Sequence, residues 1–176
     1  MSERLKIRDQ ADIEEALQKM ALEIQSGYPD IPALIGIRRG GVPLSEQLAD
    51  ILAESLPERP LLGVVDINLY RDDWTMARSF PKVGRTEIPF SLEGRRVVLV
   101  DDVLYTGRTV KAALEVLGEF GRASRVELAV LVDRGHREMP IQADYAPFAI
   151  PTRAKEMVEV SFDSEGRGEG VFLLRA

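Results

Sequence analysis

The apolar residues of this chain follow two patterns. In some segments they recur with the period of a helix, and in others they form continuous runs. Helical spacing occurs in residues 7–24, 42–56 and 109–120. It is clearest in the first segment, at Ile13, Ala16, Leu17, Met20, Ala21 and Ile24. Asp9 or Asp12 is placed to cap that segment at its N-terminus. The pattern therefore predicts a helix in each of the three segments.

Continuous apolar runs predict strands that are buried on both faces of a sheet. The main runs are residues 33–37, 61–70, 95–100 and 125–133, and shorter ones are residues 145–151, 157–162 and 170–174. Because strands and helices alternate, the chain is expected to form a three-layer α/β domain with a mainly parallel central sheet. Ligands of such sheets bind at the carboxyl ends of the strands.

Composition narrows the class of protein. The chain has 176 residues, 45% of them hydrophobic, which fits one domain with a proper core. It has no cysteine, which excludes disulfides and thiolate chemistry, and its single histidine, His136, excludes a multi-histidine metal cluster. No apolar run has the length of a membrane span, and the polar N-terminus does not resemble a signal peptide, so we expect a cytoplasmic protein.

The segment VVLVDDVLYTGRT, residues 97–109, joins a buried strand to the start of a helix. Free backbone N–H groups and the positive end of the helix dipole favour an anion at such a turn. Gly107 permits a positive φ, and the hydroxyls of Thr106 and Thr109 can donate to phosphate oxygens. The turn lacks the Gly-Lys-Ser/Thr ending of a Walker loop. It is therefore predicted to be a phosphate cradle of another kind.

Two adjacent aspartates, Asp101 and Asp102, precede this turn. Carboxylates repel phosphate, so they are expected to bind something else: the vicinal hydroxyls of a ribose, or the shell of a magnesium ion. The bland alternative is a capped helix start with solvent-exposed aspartates. The combination of apolar run, paired aspartates, Thr-Gly-x-Thr turn and helix favours a ribose 5-phosphate site over that alternative.

The same segment resembles the phosphoribosyl-pyrophosphate (PRPP) signature of the type I phosphoribosyltransferases. Two further blocks, DINLYRDD at residues 66–73 and LAVLVDRGHREMPIQADY at residues 128–145, narrow the resemblance to the PyrR family of pyrimidine operon regulators with uracil phosphoribosyltransferase activity. The resemblance extends over residues 11–160. It implies a single domain over residues 1–176, with a core at about 30–135 and a small hood formed by residues 136–176 and part of the N-terminus.

The resemblance implies a reaction in which uracil and PRPP give UMP and pyrophosphate, with Mg²⁺ held mainly through PRPP and by no all-protein site. Asp101 and Asp102 would be the catalytic pair. The residues implied to bind PRPP or UMP are Val97, Val98, Leu99, Val100, Asp101, Asp102, Val103, Leu104, Tyr105, Thr106, Gly107, Arg108 and Thr109. The base pocket would be formed by Asp133, Arg134 and Val158. His136 is either a general base or a histidine packed in a turn.

Two further segments are implied to act on the diphosphate. Arg39, Gly40 and Gly41 form the candidate pyrophosphate loop, in which Arg38 or Arg39 supplies charge. The family commonly has Thr-Arg-Gly here, so the arginine is displaced by one position in this chain and the backbone carries the safer role. Residues 71–86 resemble a mobile flap, whose Arg85 and Lys82 either neutralise the diphosphate or are solvated loop charges.

Some of the residues that the family uses for RNA binding are replaced in this chain. The Thr-Arg-x-x-His pattern of the first helix is Gln-Lys-Met-Ala-Leu at residues 18–22, and Pro147-Phe148 replaces a Gly-Lys pair. The net charge is −6. A UMP-responsive RNA-binding attenuator with weakened RNA binding is therefore the alternative function, and a phosphoribosyltransferase for another base is a second one. The resemblance also implies a homo-oligomer, either a dimer or a tetramer.

Overall fold

A computed structural model describes residues 3–68 and 85–175. Its strands are β1 (Glu3–Asp9), β2 (Ala33–Ile37), β3 (Leu62–Val65), β4 (Arg96–Leu104), β5 (Arg125–Asp133), β6 (Phe148–Ala149), β7 (Met157–Phe162) and β8 (Gly168–Arg175), and its helices are α1 (Gln10–Gly27), α2 (Gly41–Ala53) and α3 (Arg108–Leu117). The order of elements confirms the predicted α/β alternation.

The central sheet is parallel and has five strands in the order β3-β2-β4-β5-β6. Successive residues of its strands face opposite layers, so Leu34 packs with α1 and α2, whereas Ile35 packs with α3. Both faces of the sheet are thus covered, which explains the unbroken apolar runs. The predicted three-layer architecture is confirmed.

The first helix begins at a capping box. The Asp9 carboxylate accepts a hydrogen bond from the Asp12 amide at 3.0 Å, and the Asp12 carboxylate accepts one from the Asp9 amide at 2.9 Å. Both candidate caps therefore contribute to one motif. The helix starts at Gln10 rather than at residue 7, because residues 3–9 pair with β8 as a strand.

Strand β4 is longer than its apolar run predicts. We expected it to end at Val100, but it continues to Leu104. The extension follows from pairing with β5, in which Asp101 lies opposite Val130 and Leu104 lies opposite Asp133. Conversely, β3 ends at Val65, short of the run over residues 61–70, of which residues 69 and 70 lie outside the described chain.

A second sheet of three antiparallel strands, in the order β1-β8-β7, forms the small hood that was expected. Strand β8 contacts α1, and β7 contacts β4. Val160 and Val171 of the hood belong to the same apolar cluster as α1 and α2. The hood is therefore packed onto the core through a shared set of side chains. The division of the chain at residue 136 stays a prediction.

A buried polar cluster lies where β4 and β5 begin, at the edge opposite the strands' carboxyl ends. Arg96 donates to the Glu127 carboxylate at 2.5 Å and to the Ile24 carbonyl at 2.9 Å, and the Tyr145 hydroxyl donates to Glu127 at 2.7 Å. Burial acts to raise the pKa of Glu127, but the hydrogen bonds from Arg96 and Tyr145 and the Arg96 charge hold it below its ordinary value. The pKa of Tyr145 rises to about 12 because its hydroxyl is buried beside that carboxylate.

We expect Glu127→Gln to lower the free energy of unfolding by roughly 3–5 kcal/mol, because it leaves the buried Arg96 charge uncompensated. Chemical denaturation at neutral pH measures the change. A control is Glu115→Gln, which breaks an exposed pair with Lys111 and is expected to cost about 0.5 kcal/mol or less.

The same substitution tests the pKa of Glu127. Because the folded-state pKa lies below 4.5, the stabilisation by the ionised carboxylate is present above that pH and is lost as the pH falls through the folded-state value. The Gln variant should lack this part of the acid destabilisation. An unchanged acid limb of the stability curve would contradict the assignment.

Candidate active site

The loop after β2 touches the end of β4 at the carboxyl edge of the central sheet. A Cβ atom on Gly40 would lie 2.2 Å from Oδ2 of Asp102, and one on Gly41 would lie 2.0 Å from the carbonyl oxygen of Val100. A side chain at position 41 would meet the backbone of β4, and one at position 40 would displace the Asp102 carboxylate. The peptide bond between Arg38 and Arg39 is cis. The structure thus brings the expected pyrophosphate loop directly onto the paired aspartates.

The two aspartates are held by the backbone that follows them. Oδ1 of Asp101 accepts a hydrogen bond from the Asp102 amide at 2.9 Å, and Oδ1 of Asp102 accepts one from the Val103 amide at 2.8 Å. Asp101 is buried, with 7% of its surface exposed, and Asp102 is half-buried. These bonds orient the carboxylates, and they place Asp102 beside Gly40. The alternative of a capped helix start with solvent-exposed aspartates does not describe this arrangement.

A cavity of about 340 Å³ lies between Asp101 and the start of α3, and it is lined by Asp101, residues 103–110 and Glu138. Gly107 has a φ of +91°, as its place in the turn predicts. The Arg108 amide donates to the Thr106 hydroxyl at 3.3 Å, and within the described chain no side chain caps the next amides, those of Thr109 and Val110, which remain available to a ligand. This is the geometry of an anion site.

The outer wall of the cavity is the segment after β5. The amides of Glu138 and Met139 donate to the Thr106 carbonyl at 2.9 and 3.1 Å, and Arg108 forms an ion pair with Glu138 at 2.8 Å. Arg137 donates to the Tyr105 carbonyl at 2.6 Å. The phosphate turn is therefore braced by hydrogen bonds to its backbone.

Asp133, expected near the base or the diphosphate, uses its carboxylate within this wall. It accepts hydrogen bonds from Arg137 at 2.5 Å and from the Gly135 amide at 3.0 Å. Burial acts to raise the pKa of Asp133, but these two bonds and the Arg137 charge hold it below its ordinary value. Both carboxylate oxygens thus shape the turn that follows β5.

Arg134 joins the core to the segment that leads into the hood. Its buried guanidinium lies 3.9 Å from the centre of the Tyr105 ring, donates to the Thr152 hydroxyl at 3.1 Å and donates to the Glu156 carbonyl. Nε2 of His136 lies 2.6 Å from the Thr152 carbonyl oxygen, so this nitrogen carries a proton and donates it. His136 itself is exposed, and this bond fixes the orientation of its ring. Val158 is half-buried in β7, opposite Leu173.

The contact between Arg38, a candidate charge of the pyrophosphate loop, and Asp66, the first residue of the DINLYRDD block, is a further part of the site that the sequence did not predict. The Asp66 side chain is 4% exposed, and its Oδ2 lies 3.6 Å from Nε of Arg38. Nη2 of Arg38 donates to the Arg85 carbonyl at 3.0 Å. A signal was present in the aspartate that follows the apolar run of β3. The expected flap residue Lys82 and the rest of residues 71–84 lie outside the described chain.

The paired aspartates supply oxygen atoms that could contact a metal ion. In residues 3–68 and 85–175, no group of three or more His, Asp or Glu side chains is placed to hold a metal ion. The two carboxylates of Asp101 and Asp102 are hard oxygen donors of the kind that magnesium prefers. They fit an ion that arrives with most of its ligands already supplied by a phosphorylated substrate.

Comparison with known proteins identifies the family. Residues 4–164 match the phosphoribosyl transferase domain. The chain is 48% identical over 173 residues to a bifunctional protein PyrR of Roseiflexus, and the alignment covers 96% of this chain and 94% of that protein. It is 45% identical over 175 residues to the bifunctional protein PyrR of Geobacter sulfurreducens, which covers 98% of this chain and 99% of that protein. The chain belongs to the PyrR family.

Solved structures place this PyrR family member in the wider fold. A hypoxanthine phosphoribosyltransferase mutant from Trypanosoma cruzi, complexed with IMP, has a TM-score of 0.72, with 19% identity and coverage of 99% of this chain and 85% of that one. A Leishmania tarentolae HGPRT-ase with GMP has a TM-score of 0.66, with 20% identity and coverage of 87% and 84%. At these identities the likeness establishes the type I phosphoribosyltransferase fold alone.

The domain match of this PyrR family member begins within β1 and ends just after β7, so it includes most of the hood. None of the helices in the described residues has the length and apolar character needed to cross a membrane.

We expect Thr109→Val to weaken the binding of a phosphate monoester. The substitution preserves shape and removes one hydroxyl donor, which is worth roughly 1.5–3 kcal/mol at a charged ligand. Calorimetric titration with UMP measures the change. Ser26→Ala is the control, because its hydroxyl bonds to the Glu23 carbonyl on α1. A nucleotide bound elsewhere, with this turn empty, would refute the assignment.

A second substitution tests the backbone of the same turn. Gly107→Val places a β-branched side chain at a φ of +91° and 3.1 Å from Cβ of Met139. The strain should weaken phosphate binding by about 1–3 kcal/mol. Gly118→Ala is a matched control, because a Cβ there meets nothing within 4 Å.

Proposed function

We propose that the chain is a uracil phosphoribosyltransferase, which joins uracil to PRPP and releases UMP and pyrophosphate. One observation carries the proposal: the paired aspartates of β4 lie between the phosphate turn and the glycine loop. A phosphorylated ribose with a diphosphate on C1 has three polar parts in that order. The bifunctional PyrR proteins that resemble the chain supply the pyrimidine context.

Each part of PRPP has a matching part of the site. The 5-phosphate binds the amides and hydroxyls of residues 106–109, and the ribose diol donates to Asp101 and Asp102. The diphosphate lies against Gly40 and Gly41, where the backbone can approach it closely. Negative charge develops on the leaving pyrophosphate as its bond to C1 breaks. Groups that stabilise this charge in the transition state accelerate the reaction.

Mg²⁺ is the cofactor that this proposal requires. Bound to the diphosphate, it would neutralise charge on the leaving group. Asp101 and Asp102 are the residues that would hold its shell, together with the substrate's own oxygens. The site residues themselves bind the sugar, orient it and keep the phosphate in the turn.

The base is proposed to lie between the end of β5 and the hood, near Asp133, Arg134 and Val158. The first two side chains are committed to other protein groups, so they form walls of this pocket. The fold does not select the base, because hypoxanthine phosphoribosyltransferases share it. Uracil, hypoxanthine and guanine should therefore be compared in one assay.

We expect the wild-type protein to form UMP from labelled uracil, PRPP and magnesium. Asp101→Asn combined with Asp102→Asn should abolish turnover and weaken PRPP binding without loss of the fold, because the amides cannot accept both diol protons or attract the metal. Glu93→Gln, on the exposed turn before β4, is a control for loss of negative charge. A double variant that forms UMP at near the parental rate would refute the role of the aspartates.

A second function, UMP-responsive attenuation of a pyrimidine operon through RNA, is considered because the similar proteins are called bifunctional. The chain carries an acidic net charge of −6, and residues 18–22 and 147–148 lack the family's basic pattern. The opposing evidence is a basic face that an oligomer could form from Arg8, Lys19, Arg153 and Lys155. We propose that RNA binding is weakened here. A homo-oligomer, dimer or tetramer, is also proposed, and the exposed Leu22 and Met157 support it.

We expect weak or no specific binding to a pyrimidine-operon leader RNA at physiological salt. Long-range attraction of a polyanion is poor for an acidic chain unless its charges are segregated. A gel-shift or calorimetric titration with UMP present measures the affinity. Micromolar binding that fades steeply with salt would be non-specific phosphate attraction. Nanomolar, sequence-selective binding would overturn the expectation.

A further inference from the structure

Two adjacent arginines begin the loop at residues 38–41, and their surroundings differ. The Arg38 amide donates to the Val65 carbonyl at 2.9 Å, which continues the pairing of β2 with β3, and its Nη2 donates to the Arg85 carbonyl at 3.0 Å. Arg39 is exposed, and its side chain has no hydrogen-bond or ionic partner within the described ranges, 3–68 and 85–175. The Arg38 guanidinium is thus engaged by other groups of the protein, and the Arg39 guanidinium is available to a ligand.

The carboxylate of Asp66 is the ionic partner of Arg38. Its Oδ1 accepts a hydrogen bond from the Asn68 amide at 2.9 Å, and its Oδ2 faces Nε of Arg38 at 3.6 Å. Within the described part of the chain, these last two atoms are buried and have no hydrogen-bond partner. The Asp66 side chain is 4% exposed and that of Arg38 is 34% exposed, so it is the buried carboxylate that depends on its counter-charge.

The same cluster joins three segments that are distant in sequence. The Asp66 amide donates to the Thr86 hydroxyl at 3.0 Å, next to the Arg85 carbonyl that Arg38 contacts. The end of β3, residues 85–86 and the loop at residues 38–41 therefore meet at one guanidinium. A planar guanidinium can satisfy two acceptors in fixed directions, whereas an ammonium is a compact point charge.

We propose that Arg38 is a positioning residue, which fixes the loop at residues 38–41 through Asp66 and Arg85, and that Arg39 is the arginine whose charge acts on the diphosphate. The inference rests on the proposed function and assigns different work to the two arginines. The first needs guanidinium geometry, and the second needs positive charge. Arginine-to-lysine substitution separates these requirements.

The experiment compares Arg38→Lys, Arg38→Gln, Arg39→Lys and Arg39→Gln by calorimetric titration with PRPP and magnesium at fixed salt. Thermal unfolding of each variant shows whether it is folded. Arg59→Gln is the matched control for loss of one arginine charge, because Arg59 pairs with Asp50 in an exposed ion pair.

The expected pattern is opposite at the two positions. Arg39→Gln should raise the Kd for PRPP by roughly tenfold or more, whereas Arg39→Lys should leave it within about threefold of the parent. Arg38→Lys and Arg38→Gln should each raise the Kd by about tenfold, since neither side chain reproduces both contacts. Arg38→Lys with parental affinity, or Arg39→Gln with parental affinity, would overturn the inference.

A double variant guards against simple loss of the fold. Asp66→Asn with Arg38→Gln removes both charges, so no buried charge is left unpaired. It should be more stable to heat than Arg38→Gln alone and still bind PRPP several-fold more weakly than the parent. Parental affinity in the folded double variant would also overturn the positioning role.

The assay for UMP formation from uracil separates this inference from the proposed function. If the parent protein binds PRPP with the expected pattern among variants but forms no UMP from uracil, the division between the arginines stands and the proposed function fails. If UMP forms but Arg38→Lys behaves like the parent, the inference fails and the proposed function stands. A parent protein that does not bind PRPP contradicts both.

Discussion

The site depends on a steric constraint, the contact of the loop after β2 with the end of β4. Gly40 and Gly41 approach the backbone and side chains of β4 more closely than any Cβ atom allows. The same contact sets the distance between the paired aspartates and the loop. At Gly40 the close neighbour is the Asp102 side chain, whereas at Gly41 it is the backbone of Val100, so the second glycine is the less replaceable of the two.

Stability and chemistry are separated along the strands of the central sheet. At the amino edge, Arg96, Glu127 and Tyr145 form a closed buried cluster with no contact to the cavity. At the carboxyl edge, Asp101 lines a cavity, and the Asp101 and Asp102 carboxylates each accept a hydrogen bond from the next backbone amide. A substitution at the first edge is thus expected to act on unfolding, and one at the second on binding.

Much of the fold follows from local patterns in the sequence. Helix α1 buries one face, which gives its sequence a helical period, and β2 and β5 are covered on both faces, which gives continuous apolar runs. These elements can therefore be assigned from the local sequence. The length of β4 could not be predicted, because Asp101 and Asp102 continue the strand through pairing with β5 rather than through apolar character. Strand β1 was missed for a similar reason. Its residues are mostly exposed, and its pairing with β8 joins opposite ends of the chain.

The candidate site was predicted in part. The motif at residues 97–109 and the glycine loop have local signatures, since a positive φ and a helix start are encoded by neighbouring residues. The contact between Arg38 and Asp66 has no such signature, because it joins two strand ends through side chains 28 positions apart. The contacts of Arg134 also have no local signature, because its partners Thr152 and Glu156 lie in the segment between β6 and β7.

The lateral ends of the central sheet bear on how the protein behaves at high concentration. Strand β3 spans only Leu62–Val65, and a bridge between Val64 and Glu87 covers part of its open side. At the other end, β6 spans Phe148–Ala149 alone. Short or covered edges offer few unpaired backbone groups to a strand from another molecule. The longest strands, β4 and β5, thus lie inside the central sheet, and its lateral ends are its shortest strands.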